Sequence, residues 1–180
     1  TPPSRISPQE VEKYREWLKE INKDKKQLKG LVLGATPELR DAFTEFGYRV
    51  YSLDINLEMF LAMNELLKNR NPNETLIRAN WLDNPLAENY FDVVVGDAVL
   101  PNIPWNEREH LLLEVKRMLK PNGVFLTRAF CVPDKKPFSS VDEIFEHFSK
   151  KKQNIMQNAL EIMFELHVLT YDPKDHIGSF

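Results

Sequence analysis

Short, densely apolar segments alternate with amphipathic stretches along most of this chain, and that alternation is what most limits the folds open to it. LVLGA is followed by PELRDAFTEFG, YRVYSLD by NLEMFLAMNELLKNR, and FDVVVGD by NEREHLLLEVKRML, with TLIRANW and VFLTRAF as two further apolar segments. Runs of four to seven residues rich in Val, Leu and Tyr suit strands buried on both sheet faces. Stretches of ten or more with apolar residues three and four apart suit helices. Five such units joined by short connections predict an α/β fold, an open, doubly wound, mostly parallel sheet with helices on both faces and right-handed crossovers.

An additional helix precedes this array. Ser7 is its predicted N-cap, Pro8 takes the first helical position, and Glu10 stands three residues after the cap. Val11, Tyr14, Leu18 and Ile21 then give it one apolar side. Residues 1–29 read as this helix and a polar lead-in, and residues 30–180 as a single cofactor-binding α/β domain. Gly47 is expected to end the second helix, and KPNG to close the helix whose core stripe is Leu111, Leu112, Val115, Met118 and Leu119. Beyond the fifth strand, SVDEIFEHFSK and NIMQNALEIMF read as helices. In the second of these Ile155, Met156, Ala159, Leu160 and Met163 share one side, with the methionines as packing residues. HVLTY reads as a sixth strand.

Composition removes several classes of function. Hydrophobic residues are 42% and charged residues 28% of the chain, a globular balance that excludes wholesale disorder. The net charge of -3 gives no reason to expect non-specific binding to nucleic acid. NKDKKQLK and SKKKQ carry positive charge without the interleaved aromatics of a single-strand platform. Cys131 is the single cysteine, so an intrachain disulfide framework and a Cys-rich metal site are excluded. His147, His167 and His176 show no ligand spacing, and no metal is assigned. No apolar run approaches the length of a membrane span; a cytoplasmic location is the default expectation. Oligomeric state is not legible.

In a doubly wound sheet, ligands bind beyond the carboxyl ends of the strands, near the reversal of strand order. The first exit is LGATPELR, where Gly34 permits a tight turn or close approach and Pro37 opens a helix whose backbone donors can receive an anionic group. It lacks G-x-G-x-x-G and the phosphate loop G-x-x-x-x-G-K-[ST], with Thr36 and Glu38 in their place. Glu38 would repel a pyrophosphate and accept hydrogen bonds from an ammonium group. The plainer alternative makes Thr36, Pro37 and Glu38 a helix cap. The second exit is Asp54, 20 positions after Gly34, suited to accept both hydroxyls of a ribose or to cap a helix. At the third, Asn80 can address an adenine edge and Trp81 offers a flat apolar surface or fills space between helix and sheet. The fourth joins Gly96 to Asp97, which either touches a ligand or caps the next turn.

At these residues the chain resembles the class I S-adenosylmethionine-dependent methyltransferases, from about Leu31 through Phe130. LVLGATPEL is similar to the first cofactor loop and YSLDIN to the acidic second motif. RANWLDNPLAENYFDVVVGDAVL is similar to the adenine-side motif with the fourth strand, and RMLKPNGVFLTR to the helix, turn and fifth strand. The resemblance implies a Rossmann-like methyltransferase fold and the cofactor S-adenosyl-L-methionine. It puts Gly34 and Ala35 on the methionine part, Asp54 on the ribose, Ile55 over the adenine, Asn80 and Trp81 at the adenine edge, and Asp97 and Ala98 beside the methyl-transfer cleft. Thr36 and Glu38 belong to the same cradle. The GATPE loop sets the chain apart as a variant subgroup, and Glu38 would supply its negative charge. The fold implied ordinarily ends in an antiparallel strand pair, of which one strand is evident.

The chemistry implied is displacement at the methyl carbon of a sulfonium, with an acceptor nucleophile opposite the departing sulfur. Alignment and a preorganised pocket carry most of such a rate enhancement. An alcohol or amine acceptor would need a base, for which His110, Asp97 and Glu107 are the nearest candidates. His110 stands three residues after Glu107, a spacing that also gives an ordinary surface pair. Trp105 either stacks on a planar acceptor or anchors its helix. The function expected is methyl transfer to an unidentified small-molecule acceptor. Its alternatives are a catalytically silent S-adenosylmethionine-binding or interaction protein and a nicotinamide-dependent enzyme, against which the missing glycine fingerprint counts.

Overall fold

A computed structural model describes residues 5–24, 26–129, 131, 133–152, 154–172 and 177–178. The chain divides into two compact units, one of Pro8–Ala129 and one of Thr1–Ser7 with Phe130–Phe180. The first holds α1 (Pro8–Ile21), β1 (Lys29–Leu33), α2 (Pro37–Glu45), β2 (Arg49–Asp54), α3 (Leu57–Asn64), β3 (Thr75–Arg78), β4 (Phe91–Gly96), α4 (Arg108–Met118) and β5 (Leu119–Thr127). The second holds α5 (Val141–Ser149), α6 (Ile155–Thr170) and two short antiparallel strands, β6 (Tyr171–Asp172) and β7 (Ile177–Gly178).

The five-stranded sheet has the order β3-β2-β1-β4-β5, and every pairing in it is parallel. The three central strands β1, β2 and β4 are buried runs whose alternate residues serve opposite layers, while the edge strand β3 is mostly exposed. Leu31, Leu33, Tyr51, Leu53 and Val94 join Leu111, Val115 and Met118 of α4 in one core cluster. On the opposite face, a Cβ at Gly30 would lie 2.6 Å from the Phe43 ring of α2, so glycine is what lets that helix lie so close. The sheet is therefore covered on both sides, and chain order reverses between β1 and β4.

Several terminators act as predicted. α2 ends at Glu45 and Gly47 follows at φ 74, the left-handed geometry that glycine adopts without steric cost. α1 begins at Pro8, directly after Ser7, and buries Tyr14 and Leu18.

Other expectations are corrected. HVLTY is not a sixth strand: His167 to Thr170 are the last turn of α6, and the strand starts at Tyr171. KPNG is not the cap of α4: the helix ends at Met118 with Leu119 as its C-cap, and KPNG lies inside the span of β5, where Phe91 pairs with Leu119 and Val93 with Val124. The residues between them form an excursion opposite Asp92, made possible by Asn122 at φ 67 and tied down by Lys120 Nζ at 2.8 Å from Asp92 Oδ1. Leu112 does not belong to the α4 core stripe; it and Leu113 are exposed. Of the residues placed on one side of α6, Ile155, Met156 and Met163 are exposed, so the two methionines are not packing residues among the described elements. α3 is shorter than its periodicity suggests, and it buries Phe60 alone while Leu57 and Leu61 face out. Phe130 and His176 lie outside the described residues.

A buried polar network fixes the α2 side of the sheet. Arg40 is 2% exposed and meets Glu74 through two bonds of 2.7 Å, while its Nη2 also donates to Asn64 Oδ1 at 2.6 Å. Ser52, inside β2, donates to Glu74 Oε1 at 2.7 Å. Four elements or their flanks, α2, α3, β2 and the entry to β3, are thereby cross-linked.

Candidate functional site

The carboxyl ends of the strands lie along one edge of the sheet, and Gly34, Asp54, Asn80 and Asp97 stand at or just after those ends. Gly34 follows β1 at φ 104, a left-handed conformation that strains any side chain, and its N–H donates to Leu53 O at 2.8 Å. A Cβ placed on it would lie 3.7 Å from Trp81 Cζ2 and 3.9 Å from Asp54 Oδ2. The exits of β1, β2 and β3 therefore converge on one small space, and a missing methyl keeps it open.

Each of these side chains is held by its own local bonds. Asp54 closes β2, and its Oδ1 accepts the Asn56 N–H at 2.8 Å, which aims the carboxylate; Asn56, not Asp54, caps α3 by accepting from Met59 N. Trp81 donates from Nε1 to Leu53 O at 2.8 Å, so its indole is pinned across the end of β2. Asn80 spends Oδ1 on the Leu82 N–H in a side-chain turn and is exposed. Ile55 is 63% exposed directly after the carboxylate, an apolar side chain kept in the open beside a polar one.

Ala35 is buried, and Thr36 occupies the N-cap position of α2 without a side-chain capping bond. The capping explanation of Thr36 is thus not what its hydroxyl does. Glu38 stands in the first turn of that helix, whose N-terminal backbone donors point toward the strand exits.

At the β4 exit, Asp97 is 8% exposed and pairs with Arg128, which follows β5: Nε to Oδ1 is 2.7 Å and Nη2 to Oδ2 is 3.2 Å. Burial pushes the Asp97 carboxyl above the usual carboxylate range, Arg128 pulls it down, and the nearby Glu10 and Glu38 charges push it up again. Ala98 next to it sits at φ 52, a left-handed geometry that costs a non-glycine residue about 1 kcal/mol. Its carbonyl accepts from Asn102 Nδ2 at 2.9 Å. Tyr14 of α1 reaches the same exit, its hydroxyl donating to Gly96 O at 2.9 Å. Burial and the Asp97 charge raise its pKa further from neutrality.

His110 and Glu107 do not join this group. They form an exposed pair at 3.5 Å on the start of α4, the ordinary surface interaction that the spacing allows. Trp105 does not anchor its helix either: it is 53% exposed, with the Arg108 guanidinium 4.6 Å from its ring centroid, and Ile103 fills the anchoring role in the core. Arg128 and Tyr14 are residues whose place at the exits sequence reasoning missed. A cation directly after an apolar strand, in VFLTR, is the signal that could have found Arg128; Tyr14 is hidden inside an apolar stripe.

A methyltransferase-domain family model matches residues 33–127, just over half of the chain and spanning every exit just described. The chain belongs to that family. It is 32% identical over 120 residues to the ubiquinone/menaquinone biosynthesis C-methyltransferase UbiE of Erwinia tasmaniensis, an alignment covering 63% of this chain and 47% of that enzyme. An uncharacterized protein of Haemophilus influenzae is 38% identical over 50 residues, 28% of this chain and 20% of that one. This member of the methyltransferase-domain family therefore spans about half the length of the first relative and a fifth of the second. Among solved structures, Phospholethanolamine N-methyltransferase 2 of Haemonchus contortus, in complex with phosphomonomethylethanolamine and S-adenosylhomocysteine, aligns with a TM-score of 0.59. The alignment has 22% identity over 90% of this chain and 38% of that one. A sarcosine dimethylglycine methyltransferase structure from Galdieria sulphuraria aligns with a TM-score of 0.56 and 23% identity, over 77% of this chain and 53% of that one. These likenesses place the parallel sheet within the Rossmann-like methyltransferase fold. No helix among the described residues is long and apolar enough to cross a membrane.

Proposed function

We propose that this chain binds S-adenosyl-L-methionine at the strand exits and transfers its methyl group to a small-molecule acceptor. The observation that carries the reading is the convergence of Gly34, Asp54 and Trp81 on a space that a single Cβ would narrow. The methyl cofactor has three chemically distinct parts, and the exits offer a matching group for each. Bound there, it would supply an electrophilic methyl on a positively charged sulfur.

The Asp54 carboxylate accepts hydrogen bonds from a pair of vicinal hydroxyls, and its Asn56 tether fixes the direction in which it does so. Ile55 covers one face of the purine, with Asn80 and Trp81 along its edge; the Asn80 amide NH2 is a donor toward ring nitrogens because its oxygen already takes a backbone N–H. Gly34, Ala35 and Thr36 let the amino-acid end approach the backbone. The α2 N-terminus receives its carboxylate and Glu38 its ammonium group. This is how the GATPE variant of the first loop retains a grip without G-x-G. A pyrophosphate in the same place would meet the Glu38 charge, which disfavours a nicotinamide dinucleotide. Asp97 and Ala98 border the methyl end. The acceptor, held opposite the sulfur, forms its new bond to the methyl carbon as the carbon–sulfur bond breaks, and releases any proton it carries to solvent or to a base. The net charge of -3, without an aromatic and basic platform, favours a small acceptor over nucleic acid.

Calorimetric titration with S-adenosylmethionine, S-adenosylhomocysteine and NAD tests the cofactor, and transfer of a labelled methyl group to a panel of small amines, acids and phenols tests the activity. The expected result is binding of the two sulfur compounds and not of NAD. Preferential NAD binding would reject the cofactor. Tight cofactor binding without transfer to any acceptor would turn the reading into that of a silent binding protein.

A further inference from the structure

Arg128 touches parts of the chain that its position after β5 does not foreshadow. Its side chain is 13% exposed, and besides both oxygens of Asp97 it meets Glu10 Oε1, with Nη1 at 3.4 Å. Asp97 directly follows β4, whereas Glu10 stands in the first turn of α1. One planar guanidinium therefore spans two adjacent strand exits and the opening of a helix, a task for which its fork of fixed donors is suited and a lysine is not.

The remainder of α1 is fastened differently. Its later turns are held by the Tyr48 hydroxyl on Leu18 O at 2.8 Å and by Asn22 Nδ2 on Phe46 O at 2.7 Å. Neither bond responds to pH near neutrality. The first turns rest on the Glu10–Arg128 pair and on the Tyr14 bond to Gly96 O, both beside Asp97. Farther along α1, Arg15 pairs with Glu45 of α2, and at the β4 exit the ionisable contacts of the helix are those of Glu10 and the Tyr14 phenol.

We propose that Arg128 is a positioning residue that seats the first turns of α1 beside the methyl end of the site, and that the seat holds only while Asp97 is a carboxylate. The proposal rests on the reading of the strand exits as the cofactor site. The groups facing Asp97 among the described residues are Arg128, Glu10, Glu38 and the Tyr14 phenol. Burial and the two like charges favour the protonated form, and Arg128 opposes them. The sign follows: Asp97 takes up its proton at a higher pH than an exposed aspartate does, so the seat loosens as pH falls. Removing Arg128 moves that transition to higher pH, and neutralising Glu10 moves it to lower pH. A role limited to packing would not produce shifts of opposite sign.

The test combines hydrogen exchange of the amides in residues 8–21, corrected for intrinsic rates across pH, with titration by S-adenosylhomocysteine. The full chain and its Arg128→Gln, Arg128→Lys and Glu10→Gln variants are compared. In Arg128→Gln the first two turns of α1 are expected to exchange about tenfold faster at neutral pH, equivalent to about 1.4 kcal/mol. The pH midpoint of ligand affinity rises with it. Arg128→Lys restores part of the protection, and Glu10→Gln, an exposed change that spares the core, lowers the midpoint. Unaltered α1 exchange and unaltered midpoints in folded variants, with the wild type binding ligand, would overturn the role of Arg128. A wild type that binds no S-adenosylhomocysteine would instead overturn the cofactor reading, and the exchange data alone would then decide the seat.

Discussion

Asp54→Ala is expected to weaken S-adenosylhomocysteine binding by about 100- to 1000-fold. Two hydrogen bonds from ribose hydroxyls to an ionised carboxylate are worth roughly 1.5–3 kcal/mol each, and their joint loss, softened by water entering the gap, lands near 3–4 kcal/mol. The same carboxylate aims itself through the Asn56 N–H, so alanine also frees the turn that carries Ile55. Asp54→Asn separates the two effects, because the amide oxygen keeps the turn while the charge is gone. Its affinity is expected between that of the wild type and that of alanine. Isothermal titration of all three proteins is the measurement, and equal affinity for wild type and Asp54→Ala would remove the ribose assignment.

The second large effect is on stability and lies away from the strand exits. Arg40→Ala strands the Glu74 carboxylate, 7% exposed, with Ser52 as its partner inside the sheet layer. Removing one member of a buried ion pair costs about 3–5 kcal/mol, mostly because the survivor keeps a charge it cannot hydrate. For a chain of this size each kcal/mol lowers Tm by roughly 2–4 °C, so a fall on the order of 10 °C is expected in a thermal melt. The double change Arg40→Met with Glu74→Leu removes both charges and is expected to recover most of it. If the single and double variants melt together, the penalty does not come from an orphaned charge. Asn64 connects the pair to the end of α3, so loss of Arg40 also slackens the two helices that follow the first and second exits.

The sheet was legible because its three central strands, KGLVL, RVYSLD and FDVVVG, are buried on both faces and need densely apolar runs. Helix starts with Pro8 and Pro37 and the stop at Gly47 were equally plain, since each rests on backbone chemistry local to a few residues, whereas the cap of α3 fell on Asn56 and not on Asp54. Tertiary exposure was not. Leu112, Leu57 and Leu61 have the spacing of core residues yet lie outside it, because periodicity reports a face and not what covers that face. HVLTY is β-branched and aromatic enough for a strand, but a helix already under way from Ile155 carries it through to Thr170. The KPNG excursion depends on Asp92, a partner nearly thirty residues away, and no local signal contains it. The proximity of Gly34, Asp54 and Trp81 was anticipated because each stands at or just after the end of a strand of the same parallel sheet, and strand exits are where this topology collects ligands. The pairing of Arg128 with Glu10 was missed because it joins opposite ends of the unit.

Trp81 gives the protein an optical reporter at the place of interest. Of the three tryptophans, Trp17 and Trp105 are about half exposed. Trp81 is partly sheltered, bonded to Leu53 O and adjoining the space over Gly34, so a planar ring settling there would quench it and shift its colour. Occupancy can then be followed by light alone, without a label and before any acceptor is known.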